Sequence, residues 1–137
     1  MKLLDTNILL RWLLRDDKPQ TEAVDKFLRN SFRIKDGLFV ADLAFAEIVW
    51  VLEGNETPLA QIAHIVRSIL NKPEIECENR DRLFAAIALY EAHHVDFIDA
   101  YQAALVQEKR MEAVVSFDRD FAKLPVVHLN PTVSFNL

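Results

Sequence analysis

Short, nearly unbroken apolar runs separated by longer amphipathic stretches constrain this chain more than any other feature. The runs fall at residues 2–4, 38–41, 113–116 and 126–129. Apolar runs this short, with little polar alternation, are expected of parallel strands covered on both faces. Strands alternating with helical stretches predict an α/β domain with a central parallel sheet of four to five strands and helices on both faces. A first helix is expected over 7–14, and a second starts near Pro19, a residue suited to a first helical turn. Asp42 can cap a helix to about Leu52, with Gly54 just past its end. Leu59, Ile62, Ala63, Val66, Ile69 and Leu70 recur at helical spacing. Asn79 can cap a helix over 80–93, and 97–109 completes the set. No repeat, linker or low-complexity tract interrupts the pattern, so a single domain over 1–137 is expected.

Composition narrows the function classes. Two glycines in 137 residues are too few for a turn-rich sandwich or barrel. No apolar run approaches the roughly 18 residues of a membrane span. The first residues lack the apolar core of a signal peptide, so a cytoplasmic location is expected. Cys77 is the sole cysteine, which excludes an intrachain disulfide and a thiolate metal cluster. Its neighbours Glu76 and Glu78 would raise its pKa and leave it inert. The net charge of −5 argues against gripping nucleic acid by bulk electrostatics. A metal-binding acidic site also lowers net charge, so a nuclease stays open.

Four acids occupy unusual places. Asp5 ends the first apolar run, at the strand-to-helix junction where open α/β sheets bind ligands, although a plain helix cap would look the same. Glu47 has Leu43, Ala44, Trp50 and Val51 as its helical neighbours, which predicts an inward-facing carboxylate in need of a cation. A salt bridge to a buried arginine is the alternative. Asp99 falls at the third position of a helix that Asp96 could cap. Asp118 follows the third apolar run as Asp5 follows the first; it and Asp120 could instead serve a turn or a short helix. Crossover topology would open these positions on one sheet edge. A purely oxygen ligand set of this kind suits Mg²⁺ or Mn²⁺ over zinc.

These residues resemble the PIN-domain ribonucleases, most closely the VapC-type toxins of toxin–antitoxin pairs. The resemblance rests on LLDTNILLRWLL at 3–14, FVADLAFAEIVWVLEG at 39–54, VDFIDAYQAALVQEK at 95–109 and VVSFDRDFAKLPVV at 114–127. It implies a PIN-like, Rossmann-like fold, usually homodimeric. It also implies RNA cleavage dependent on Mg²⁺, with Mn²⁺ able to substitute, and inhibition by an antitoxin protein. Residue by residue, Asp5, Glu47, Asp99 and Asp118 match the family's metal-binding acids, and Ser116 matches its ordering hydroxyl. Asp96 and Asp120 also match positions found in many members, and Thr6 could orient a ligand or water. No core acid is missing.

Arg11, Arg15, Lys18, Arg119 and Lys123 lie near these motifs and could contact phosphates, or could be solvated charges. The four histidines show no shared face and are assigned no catalysis. Trp12 and Trp50 are expected in core or dimer packing. A haloacid-dehalogenase phosphatase needs an acid where Asn7 stands, and a response-regulator receiver needs paired acids at the first strand. The remaining rivals are an RNA-processing PIN nuclease outside any toxin pair, and a PIN scaffold that binds without cutting.

Overall fold

Backbone pairing begins at the second residue. In the computed structural model, which describes residues 1–132, the Lys2 N–H donates to Gly37 O and the Leu4 N–H to Phe39 O, both at 2.8 Å. These bonds lay β1 (Lys2–Leu3) parallel to β2 (Leu38–Val40). A further strand, β3 (Ile75–Cys77), pairs parallel with the other side of β2, with Leu38 opposite Ile75. The sheet order is therefore β1-β2-β3. The central strand is the best covered, with Leu38 and Val40 fully buried.

Four helices complete this first unit, Met1–Arg80. They are α1 (Thr6–Leu14), α2 (Lys18–Arg33), α3 (Asp42–Gly54) and α4 (Leu59–Leu70). Asp5 and Asp17 sit in extended backbone and cap α1 and α2, their side chains accepting from Asn7 N and Gln20 N, each at 3.0 Å. Pro19 lies in the first turn of α2, where its missing N–H costs nothing. α1 packs on α2 and α3, and α3 packs on α4. The Arg80 guanidinium donates to the carbonyls of Leu70 and Ile75, tying the end of α4 to the start of β3. With only Gly37 and Gly54 available, left-handed backbone falls on long side chains, as at Arg15 (φ 54°) and Glu56 (φ 59°).

The second unit, Asp81–Leu137, holds α5 (Arg80–His93), α6 (Phe97–Lys109), β4 (Val114–Val115) and β5 (His128–Leu129). Residues 133–137 of the expected 1–137 domain lie outside the described residues. β4 and β5 pair in parallel, through Val114 N–H to Val127 O at 2.8 Å and Ser116 N–H to Leu129 O at 3.0 Å. A short 3-10 helix (Arg119–Lys123) lies between these strands in sequence, and α6 packs on both it and β4. The Tyr90 and Phe97 rings meet edge-on, 6.0 Å apart.

Several expectations need correction. Among the described residues the parallel strands form sheets of three and two, not one sheet of four to five. Each strand is only two or three residues long, and its few ladder bonds are made within its own group. β1 is not covered on both faces: Leu3 is 68% exposed on an edge strand. β3 was hidden in the sequence because Glu76 interrupts its apolar character. Asp42 is the first residue of α3, not its cap. Ala41 holds the cap position without a side-chain bond, and the Asp42 N–H donates instead to Glu78 Oε1 at 2.9 Å. Gly54 ends α3 as its last helical residue and has no positive φ.

The orientation of α3 differs most from expectation. Phe45, Ile48, Val49 and Leu52 are buried, whereas Leu43 is 79% and Trp50 is 76% exposed. Glu47 shares that exposed stripe. Phe45→Ala should therefore cost about 3–5 kcal/mol of stability, as a fully buried ring is lost. Trp50→Ala should change stability by no more than about 0.5 kcal/mol. Urea denaturation of the two variants checks the orientation; equal losses would contradict it.

Candidate metal centre

Local backbone chemistry brings three acids of the second unit together. Asp99 is the third residue of α6, which fixes its carboxylate near the start of that helix. Asp118 follows β4 and caps the 3-10 helix, its Oδ1 accepting from Asp120 N at 2.9 Å. The Asp118 N–H in turn donates to Ser116 Oγ at 3.0 Å, so the serine hydroxyl orders the turn that carries Asp118. The imidazole Nε2 of His128 lies 2.7 Å from the Ser116 carbonyl oxygen, tying β5 to the same turn. The result is a group in which one carboxylate oxygen each from Asp99, Asp118 and Asp120 lies within 4.8 Å of the others.

Electrostatics marks Asp99 as the group under strain. Burial raises its pKa above the ordinary carboxylate value, and the charges of Asp118, Asp96 and Asp120 push it further the same way. Its Oδ2 is buried and has no hydrogen-bond partner. Lys123 Nζ lies 3.1 Å from Asp120 Oδ1 and offsets part of the cluster's charge, but through an exposed pair of small worth. A hard divalent cation fits this donor set. It is all oxygen, it is short of positive charge, and it holds a buried lone pair with nothing to accept from. Asp120, expected only in a supporting role, is a full member of the group. The spacing of two residues across a helix cap is the sequence signal for it.

The remaining expected residues are placed as follows. Asp5 and Glu47 belong to the first unit, Asp5 as the cap of α1 and Glu47 midway along α3. Glu47 is exposed, so the argument that a buried charge there demands a cation does not hold. Its helical neighbours Leu43 and Trp50, although apolar, face outward. Thr6 is buried at the start of α1. Asp96 sits at the cap position of α6 but makes no side-chain cap bond; its charge instead acts on Asp99. Cys77 has a raised pKa, as expected, but burial is the main cause and Asp42 the charge that adds to it.

The cations expected near phosphates are mostly engaged. Arg15 makes a two-pronged pair with Asp25, at 3.1 and 2.7 Å. Arg11 pairs with Asp16 at 2.9 Å, and Lys123 with Asp120. Among the described residues Lys18 and Arg119 form no ion pair.

An α/β chain with helix-capping acids after β1 and β4 and an oxygen-rich cluster on its second unit defines a class. The chain belongs to the PIN-domain family: the PIN domain model matches residues 2–127. It is also 31% identical over 132 residues, covering 96% of this chain and 97% of the relative, to a VapC ribonuclease of Aquifex aeolicus (strain VF5). No solved structure matches significantly. Among the described residues no helix is long and apolar enough to cross a membrane.

The raised pKa of Asp99 carries a sign. A carboxyl held above its unfolded pKa opposes folding once the pH rises through its folded value. The penalty vanishes below the unfolded value near 3.8, where both states are protonated. Asp99→Asn should therefore raise the melting temperature of the metal-free protein by a few degrees at pH 7, with the gain disappearing toward pH 3. Mn²⁺ should stabilise the wild type in a concentration-dependent way and the variant far less. Thermal melts with and without the ion check both points.

Proposed function

We propose that this chain is a divalent-metal-dependent endoribonuclease of the VapC type, the toxin half of a toxin–antitoxin pair, with residues 1–137 working as one nuclease domain. The observation that carries it is the Asp99–Asp118–Asp120 group with its unpartnered buried oxygen, in a chain of the PIN-domain family. The 31% identity to a VapC ribonuclease along almost the whole length supports the same activity.

Asp5, Glu47, Asp99 and Asp118 are the proposed ligands of Mg²⁺, with Mn²⁺ able to take its place. Asp120, Asp96, Thr6 and Ser116 support them. When bound, such a cation polarises the scissile phosphate and acidifies a coordinated water. The residues' own parts are simpler. Ser116 holds the Asp118 backbone, and thereby its carboxylate, in place. Glu47 or Asp118, both exposed, takes the proton from the attacking water. Attack at phosphorus expels the 3′ oxygen and leaves a 5′ phosphate.

Partners follow from the same reading. RNA is the substrate, a cognate antitoxin the regulator, and the cytoplasm the site of action. The working assembly proposed is a homodimer.

Asp5→Asn and Glu47→Gln should each lower Mn²⁺-dependent cleavage of a labelled RNA by about 10²–10⁴-fold. Both side chains are exposed, so the circular dichroism spectrum should not change. Cleavage by the wild type that survives EDTA would sink the metal-dependent mechanism. A wild type that binds RNA but never cuts it with either ion would leave a binding scaffold instead.

A further inference from the structure

One cationic stretch of the first unit is made of residues that carry no role so far. Along α2 and just past its end, residues 26–35 carry Lys26, Arg29, Arg33 and Lys35 and no acid, in a chain of net charge −5. Lys26, Arg29 and Arg33 line an open groove of about 490 Å³ with Ala23, Phe27 and Asn30. Helical spacing explains the groove: 23, 26, 27, 30 and 33 fall on one face, and Val24, Leu28 and Ser31 turn the opposite face inward. Phe27 is 40% exposed among these cations, unusual for a phenylalanine on a charged helix face.

Among the described residues Lys26, Arg33 and Lys35 enter no ion pair, and the Arg33 Nη2 is steadied by Asn30 Oδ1 at 2.7 Å. Asp25 is paired with Arg15 and also feels the charge of Arg29, while no carboxylate lines the groove itself. By contrast, Arg11, Arg15 and Lys123 are already committed to carboxylates.

We infer that the α2 groove is a binding site for single-stranded RNA, with Lys26, Arg29 and Arg33 holding phosphates and Phe27 offering its ring to a base. This rests on the ribonuclease reading and extends it, by naming residues with which an acidic protein grips a polyanion. An exposed aromatic ring flanked by unpaired cations is the combination that single strands use: charge tracks the backbone, and the ring stacks on bases of any sequence. Arg29 and Arg33 add planar guanidinium groups suited to phosphate. An acidic peptide shares the charge complementarity but gives no use for an isolated ring.

The test is fluorescence anisotropy with a labelled single-stranded RNA in EDTA, across a salt series. The probes are the wild type, the Lys26→Ala/Arg29→Ala/Arg33→Ala triple variant, Phe27→Ala and Phe27→Trp. All four substituted side chains are exposed, so folding should be unaffected. The triple variant should bind about tenfold or more weaker, and its salt slope should fall by about 2, as three phosphate contacts are lost at about 0.7 each. Phe27→Ala should weaken binding about fivefold or more, and Phe27→Trp should restore it. Equal affinities and slopes for the wild type and the triple variant would overturn the inference. So would a groove that binds a poly-glutamate peptide while RNA affinity ignores the triple substitution. Because binding is read without cleavage, a wild type that cuts RNA in Mn²⁺ yet binds independently of α2 defeats this inference alone. A wild type that never cuts defeats the nuclease reading instead.

Discussion

Three carboxylates held within 4.8 Å of one another are an electrostatic burden that this fold maintains with backbone geometry. Two such charges repel by about 3 kcal/mol at an effective dielectric of about 20, and by less where water reaches Asp118. Here the means are visible: α6 fixes Asp99, the Ser116 hydroxyl fixes the Asp118 backbone, and the Asp118 side chain fixes Asp120 through its N–H. Burial and the neighbouring charges raise the pKa of Asp99, which also carries the orphaned oxygen.

The same economy of means shapes the first unit. With two glycines and strands of two or three residues, order comes from helix ends more than from sheet. Asp5 and Asp17 cap by the local rule, within three residues of the N–H they satisfy. The start of α3 is satisfied from 36 residues away by Glu78, and Arg80 closes the next junction on two carbonyls. At these junctions charged side chains serve the backbone.

That distribution of charge links structure to function. Acids gather at one place on the second unit, paired arginines hold α1 and α2 together, and free cations remain along one face of α2. A net charge of −5 therefore conceals both a carboxylate cluster and a positive groove. Sorting cations by their partners separates structural from available charge, and a count of residues near motifs does not.

The sequence by itself determined the elements governed by local rules. α4 has the bounds its apolar spacing predicts, α6 covers the expected 97–109, and Asp99 stands at the helix position counted from Asp96. The order of acids along the chain also sufficed for the family, because motif spacing is a one-dimensional property. What the tertiary structure decided was every property that depends on a distant neighbour. It turned Leu43, Glu47 and Trp50 outward, because apolar residues run around most of α3 and only packing chooses which are covered. It drew Asp120 into the cluster, paired Ile75 with Leu38, and split five short strands into sheets of three and two. Strand pairing and charge pairing join residues far apart in the chain, and local periodicity carries no record of such partners.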